Sequence, residues 1–254
     1  MSTLTAIRRT GSEFLSAMQF LTRIPLPSLV YEEDSLARAV KFFPAVGALI
    51  GYAAALLHRA LAPHLSRPLT AIAVLTFLVL LTGALHEDGL ADSADGFGGG
   101  HTRDKVLIIM RDSRIGTYGA VALVLSLVGR MFLLVAIPLD HVLLYLVAAH
   151  VLSRWTALPL SYFLPAARQQ DGQGARVARL TSSTSLIVGT IFSLCLVGYM
   201  LRFQAIAPVT AAIVFTALSA WFYQHRIGGI TGDCFGATNQ LTELAIYLCG
   251  AWIA

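Results

Sequence analysis

Apolar residues gather into seven windows along the chain, at about 42–57, 69–86, 119–137, 141–163, 186–202, 205–222 and 240–254. Most approach the roughly 20 residues that carry a helix across a bilayer. The first window is short and the last ends with the sequence, so each also fits a re-entrant or partial span. The pattern predicts an all-α integral membrane protein, a polytopic helical bundle of about seven (six to eight) transmembrane helices. Residues 1–41 precede the bundle and read as an amphipathic helix. Leu4, Ile7, Phe14, Leu15, Met18 and Leu21 share one face at helical spacing, while Arg8, Arg9, Ser12, Glu13, Ser16 and Gln19 cover the other. Such a helix lies either on the bilayer surface or against the protein's own bundle. Arg23-Ile24-Pro25-Leu26-Pro27 then stops it, since two prolines in three residues cannot continue a helix.

Composition agrees with this pattern. Of 254 residues, 56% are hydrophobic and 13% charged, and the mean hydropathy is +0.71. Soluble domains carry roughly 25% charged residues, so this chain lacks the polar covering to be one. The net charge of +4 would point towards nucleic acid in a soluble protein. Here the basic residues instead flank spans and set topology, and no nucleic-acid partner is expected. With the N-terminus in the cytoplasm and sides alternating, 13 of the 18 Lys and Arg fall on the cytoplasmic side. Only Arg59, Arg67 and Arg202 fall outside, and Arg130 and Arg154 lie in spans. Cys195, Cys234 and Cys249 are far apart, so neither a disulfide framework nor a zinc site is expected. The first 40 residues show no cleavable signal-peptide pattern.

Scarce charge makes its placement informative. Glu87, Asp88, Asp92, Asp95, Asp104 and Asp112 are six of the 14 acids, and all lie between the second and third windows. On a helix, Asp88, Asp92 and Asp95 stand at i, i+4 and i+7, within about 60° of one another. Like charges a turn apart repel, and a divalent cation would relieve them. All-oxygen ligands favour Mg²⁺ or Mn²⁺ over zinc. Gly96, Gly98, Gly99 and Gly100 then open the backbone for an amide nest, and Arg103, Lys105, Arg111 and Arg114 follow. Carboxylates, glycines and then basic residues are the parts for binding a diphosphate, with Arg giving bidentate contacts. An acidic loop in solvent, with basic topology anchors, is the plainer reading of the same residues.

Arg130 sits near the middle of the third span, and His150 and Arg154 share a face of the fourth. Ionisable groups at such depth face a wet cavity or pair with a carbonyl or an acid. In the last loop, Gly228-Gly229-Ile230-Thr231-Gly232-Asp233-Cys234-Phe235-Gly236-Ala237 leads into a helix carrying Asn239, Gln240 and Glu243. Asp233, Gly236, Ala237 and Gln240 share a face there, although Thr231 also fits plain helix capping. This loop is expected on the same side as the acidic segment. Residues 164–185, with Gln169-Gln170-Asp171-Gly172, read as a flexible loop or lid.

In these blocks the chain resembles the cobalamin synthase (adenosylcobinamide-GDP ribazoletransferase) family over nearly its whole length. The resemblance rests on Arg23–Pro27, Phe43-Pro44-Ala45-Val46-Gly47, Glu87-Asp88-Gly89-Leu90-Ala91-Asp92-Ser93-Ala94-Asp95-Gly96, Arg111-Asp112-Ser113-Arg114-Ile115-Gly116-Thr117-Tyr118-Gly119 and Gly232–Ala237. It implies one membrane-embedded catalytic domain over 1–254, with 87–118 as a cytoplasmic active-site segment, in the bacterial inner membrane. It implies a Mg²⁺-dependent enzyme joining a GDP-activated corrinoid to α-ribazole or α-ribazole 5′-phosphate and releasing GMP. Glu87, Asp88, Asp92 and Asp95 would hold Mg²⁺, and Asp92, Asp95 and Asp112 would form the catalytic set, with Asp95 or Asp112 as base. Lys105, Arg111, Arg114, Gly98, Gly99, Asp233 and Asn239 would bind substrate and phosphate. A homo-oligomer, or a complex with other cobalamin-assembly enzymes, is compatible with that role. A phosphotransferase of the CDP-alcohol type acting on a lipid alcohol is the alternative, and a cation transporter is a weaker one. Transport is disfavoured because no inverted repeat is evident.

Overall fold

A computed structural model describes residues 3–26, 35–168 and 181–252, with the side chains of 3–7 and 35 outside the description. Pro27, the side chains of Leu4 and Ile7 and the centre of the expected lid therefore fall outside it. The described chain is helical: α1 (Thr3–Leu21), α2 (Ser35–Ala39) with a 3-10 turn at Val40–Phe42, α3 (Phe43–Leu61) and α4 (Arg67–Thr82). Next come α5 (Leu85–Gly99), α6 (Arg103–Ile109), α7 (Thr117–Ala136), α8 (Leu139–Trp155) and α9 (Ala157–Phe163). The last three are α10 (Ser183–Leu201), α11 (Ile206–Ile227) and α12 (Gly232–Trp252).

All seven apolar windows fall on helices, but the span count differs. Among the described residues, four helical stretches are long and apolar enough to cross a membrane: Leu36–Leu61, Thr117–Ala136, Leu139–Phe163 and Ser183–Ile227. A fifth arises if α4 and α5, bent by 87°, form one broken span. The 45-residue stretch Ser183–Ile227 is interrupted at Arg202, where φ is 51°, and each half approaches the length of a span. Helix α12 is too polar to stand among them, because Asp233, Asn239, Gln240 and Glu243 lie along it.

The span Leu139–Phe163 is 78% buried and forms the centre, whereas Thr117–Ala136 is only 22% buried. Leu80, Leu125, Phe132 and Phe203 stand out from the surface, as side chains facing lipid do. Gly47 and Gly51 let α3 lie directly on α8, since a Cβ at Gly51 would come within 2.8 Å of the Leu146 carbonyl oxygen. Small residues four apart on a membrane helix permit such close backbone approach.

Helix α1 packs on the bundle, so of its two expected placements the structure takes the second. Ala17 and Leu21 join the core, and Phe20 stacks on Phe43 with centroids 5.5 Å apart. Glu13, expected on the polar face, is buried instead and collects Arg9 at 3.3 Å, Arg38 at 3.2 Å and Lys41 at 2.7 Å.

The acidic segment is not a loop. After α4 the chain turns through Gly83 (φ 65°) and Ala84 (φ 57°) and resumes as α5. Helix α5 runs along α7, with Glu87 beside Arg130 and Asp95 beside Gly119. Those two α7 positions are 11 residues apart, or about 16 Å of helix at 1.5 Å per residue. The segment 87–118 therefore begins inside the bundle and emerges at the end carrying Thr117.

Candidate active site

Helices α5 and α12 cross at two glycines. A Cβ on Gly89 would lie 2.8 Å from the Asp233 carbonyl oxygen and 3.0 Å from Gly236 Cα. One on Gly236 would lie 3.0 Å from Gly89 Cα and 3.1 Å from the His86 carbonyl oxygen. This contact sets Asp88 and Asp233 on the wall of one cavity of about 230 Å³. His86, Ser153, Arg154 and Asn239 line it too, with Phe20, Phe43 and Phe235 on its apolar side.

The start of α12 is held from several directions. Ala167 N–H donates to the Ile230 carbonyl and Ile230 N–H to the Pro165 carbonyl, both at 2.9 Å. This pairing brings Arg168 to 3.6 Å from Asp233. Arg103, read from the sequence as a phosphate ligand or anchor, donates to the Ile227 and Ala167 carbonyls at 2.8 and 2.9 Å. Arg226 donates to the Gly100 carbonyl at 2.9 Å. Both arginines satisfy carbonyls at helix ends, where the helix dipole favours a cation.

Beneath the cavity lies a buried ionic network. Arg130, 1% exposed, reaches Glu87 at 3.0 Å and Glu243 at 3.3 Å. Glu243 also meets Arg154 at 3.4 Å and His150 Nδ1 at 3.5 Å. Arg154 contacts His150 Nδ1 at 2.6 Å and donates to Ser153 Oγ at 3.0 Å. Two arginines and two glutamates balance formally, so α5, α7, α8 and α12 are tied without net charge. The expected cavity-or-acid alternative for Arg130 and Arg154 resolves as both: each pairs with acids, and Arg154 also lines the cavity.

The structure redistributes the residues expected to bind metal and phosphate. Glu87 faces Arg130 rather than a shared cation site. Asp95 accepts from Gly116 N–H at 2.7 Å and Gly119 N–H at 2.8 Å. Its carboxylate caps α7 from the neighbouring helix, and a Cβ at Gly116 or Gly119 would collide with it. Asp88, Asp92 and Asp233 remain, and Asp92 lies within electrostatic reach of both others. As placed, no group of three or more acid, His or Cys side chains among the described residues forms a ready metal cage.

The expected glycine nest is also absent, because Gly96, Gly98 and Gly99 belong to α5. Gly98 leaves room for the Tyr118 ring and Gly96 for Met110. Lys105 is exposed on α6, and Arg111 and Arg114 lie on the exposed turn before α7; none lines the cavity. Arg114 pairs with Asp112 at 2.6 Å. Hydrogen bonds from Arg114 hold the exposed Asp112 carboxyl down to about 2, too low for a proton acceptor near neutral pH. Asp88, Asp233 and Asn239 are the expected residues that the fold brings together. His86, Ser153 and Phe20 were missed, because nothing in their local spacing marks them.

A cavity with two carboxylates and a buried arginine on its wall, set over a neutralised ionic core inside an all-α polytopic bundle, defines a membrane protein built for polar chemistry rather than a passive anchor. The Cobalamin-5-phosphate synthase family model matches residues 13–251, and the chain belongs to that family. It is accordingly an enzyme, a transferase of cobalamin biosynthesis. A relative from Ralstonia nicotianae, named adenosylcobinamide-GDP ribazoletransferase, is 39% identical over 98% of both chains. Relatives of the same name from Shewanella piezotolerans and Vibrio cholerae are each 38% identical over 92% of this chain, covering 93% and 91% of their own. No solved structure gives a significant match.

Proposed function

We propose that this chain joins a GDP-activated adenosylcobinamide to α-ribazole or α-ribazole 5′-phosphate, giving adenosylcobalamin or its 5′-phosphate and GMP. The names of its relatives support the reaction class, and one structural observation supports its location. The α5/α12 crossing puts carboxylates from both acidic motifs, Asp88 and Asp233, on a single cavity that also holds a buried arginine.

In the reaction, a ribose hydroxyl attacks the phosphorus attached to the cobinamide arm. The bond from that phosphorus to the GMP oxygen breaks, and GMP leaves with the charge. Asp92 takes the hydroxyl proton, because Asp95 is occupied by two backbone amides and Asp112 by Arg114. Catalysis is otherwise positioning and charge neutralisation.

The donor set fits Mg²⁺. Asp88 and Asp233 are hard oxygen ligands on one cavity wall. Mg²⁺ needs only one or two carboxylates, completing its shell with water and substrate phosphates, so no all-protein cage is required. When bound, the cation would neutralise charge on the phosphates. The basic-residue count supports the inner membrane with the N-terminus and site end cytoplasmic, where the nucleotide substrate is.

The purified full chain in lipid nanodiscs, given GDP-corrinoid and α-ribazole, should release GMP with Mg²⁺ and stop when EDTA removes it. Asp92→Asn should abolish release while the protein stays folded in the membrane. Release at the wild-type rate by that variant, or undiminished release in EDTA, would overturn the assignment.

A further inference from the structure

His86, Arg154 and Asn239 line the cavity, and each carries a buried polar atom without a hydrogen-bond partner: His86 Nδ1, Arg154 Nε and Asn239 Oδ1. Their side chains are among the more deeply buried polar groups, with residue exposures of 6%, 3% and 4%. Leaving a buried donor or acceptor unpaired is costly, because its hydrogen bonds to water are lost and nothing replaces them. Three cavity-lining residues that each carry such an atom point to a ligand that supplies the partners.

The chemistry of the three narrows the ligand. Arg154 Nε–H only donates, Asn239 Oδ1 only accepts, and an imidazole nitrogen does either. A phosphate offers acceptors alone, so it leaves the Asn239 oxygen unsatisfied. A guanine edge offers both kinds: O6 and N7 accept, while N1–H and the N2 amino group donate. Adenine reverses the polarity at position 6, putting an amino donor where a donor already waits. Phe20, Phe43 and Phe235 supply an apolar wall for a planar ring.

We infer that the α5/α12 cavity holds the guanine base of the GDP-activated substrate, with Arg154 and His86 reading O6 and N7 and Asn239 reading the N1/N2 edge. The inference rests on the transfer reaction proposed above for the identity of its substrate. At about 230 Å³ the cavity falls below the roughly 300–1,000 Å³ of pockets that enclose a whole drug-sized ligand. It therefore takes the base and leaves the corrinoid outside, with the diphosphate between them at Asp88 and Asp233.

The test is displacement of a ribose-labelled fluorescent GMP from the full-length protein in nanodiscs, with Mg²⁺ present and no corrinoid. GMP, IMP, AMP and inorganic pyrophosphate are the competitors. Hydrogen bonds to charged groups contribute about 1.5–3 kcal/mol, so GMP should outcompete AMP by about 10- to 100-fold, with IMP between them. Asn239→Leu should erase the preference for GMP over IMP, and Arg154→Lys the preference for GMP over AMP, with pyrophosphate unaffected. Asn239→Ser, which removes less volume, provides the same reading if the leucine variant does not fold. Equal displacement by AMP and GMP in the wild type overturns the base pocket, and variants that keep the wild-type ranking overturn the residue assignment. A chain that ranks the nucleotides as expected but releases no GMP from the GDP-corrinoid overturns the transfer reading and leaves the guanine pocket standing.

Discussion

Arg130→Met should unfold the chain more readily than any substitution on the lipid-facing side of α7. Arg130 is 1% exposed, 3.0 Å from Glu87 and 3.3 Å from Glu243. Two magnitudes compete in setting the cost. Single hydrogen bonds inside membrane proteins average only about 0.6 kcal/mol. Removing one partner of a buried ion pair costs about 3–5 kcal/mol, because the other charge is left uncompensated. The second applies here, since Glu87 loses its arginine altogether. Glu243 keeps Arg154 at 3.4 Å, which places the expectation at the lower end, about 3 kcal/mol. Reversible unfolding in mixed micelles titrated with SDS, followed by the fluorescence of the three tryptophans, measures it. Adding Glu87→Gln to Arg130→Met should then recover about 1–3 kcal/mol, as coupled neighbours do in a double-mutant cycle. A loss below about 0.5 kcal/mol for Arg130→Met, or a double variant less stable than the single, would refute the charge-compensation argument.

Four further outcomes follow from the same geometry. Gly89→Ala places a methyl 2.8 Å from a backbone oxygen, so it should cost about 1–3 kcal/mol in micelle unfolding and lower GMP release by parting the two acids. Asp95→Asn keeps one acceptor of two for the α7 amides and should lose about 1 kcal/mol in the same assay, with slower amide exchange protection lost first at Gly116 and Gly119. Asp112 is ionised at every working pH, since its depressed carboxyl gains stability above the ordinary carboxylate range and loses it only as pH falls through about 2. Asp112→Asn should therefore leave the acid limb of the rate–pH profile where it is; a displaced limb would restore Asp112 as the base. Glu13→Gln leaves Arg9, Arg38 and Lys41 facing one another and should raise hydrogen exchange throughout α1.

The helices were legible in the sequence because lipid imposes one simple demand, and each apolar window answers it. The span count was less legible. Helix α12 carries Asp233, Asn239, Gln240 and Glu243 into the bundle, where partners on α7 and α8 make polar residues acceptable. The acidic motif was legible as a cluster but not as a division of labour. Glu87 and Asp95 look like Asp88 and Asp92 in the sequence, and only Arg130 and the α7 amides tell them apart. The glycines misled in the same way: Gly98 and Gly99 read as an open loop, whereas Gly98 makes room for Tyr118 against a helix. Gly47 and Gly51 set the α3/α8 contact, a spacing that hydropathy alone passes over. His86 and Ser153 become cavity residues through long-range packing, which no local pattern records.

The break at Gly83 and Ala84 also constrains how the protein is made. Helix α5 carries Glu87, Asp88, Asp92 and Asp95. An aspartate at the centre of an inserting helix costs about 2.5–3.5 kcal/mol, so α5 cannot enter lipid on its own hydropathy. Its backbone is separated from α4 by two residues in left-handed conformation, so α4 can be inserted without drawing α5 in behind it. The seat of α5 inside the bundle is made by Arg130 on α7 and by the glycine contact with α12, whose first residue lies well over a hundred positions further along the chain. The acidic helix thus depends on α7 for its charge partner and on α12 for the glycine crossing, and the cavity exists only where all three meet.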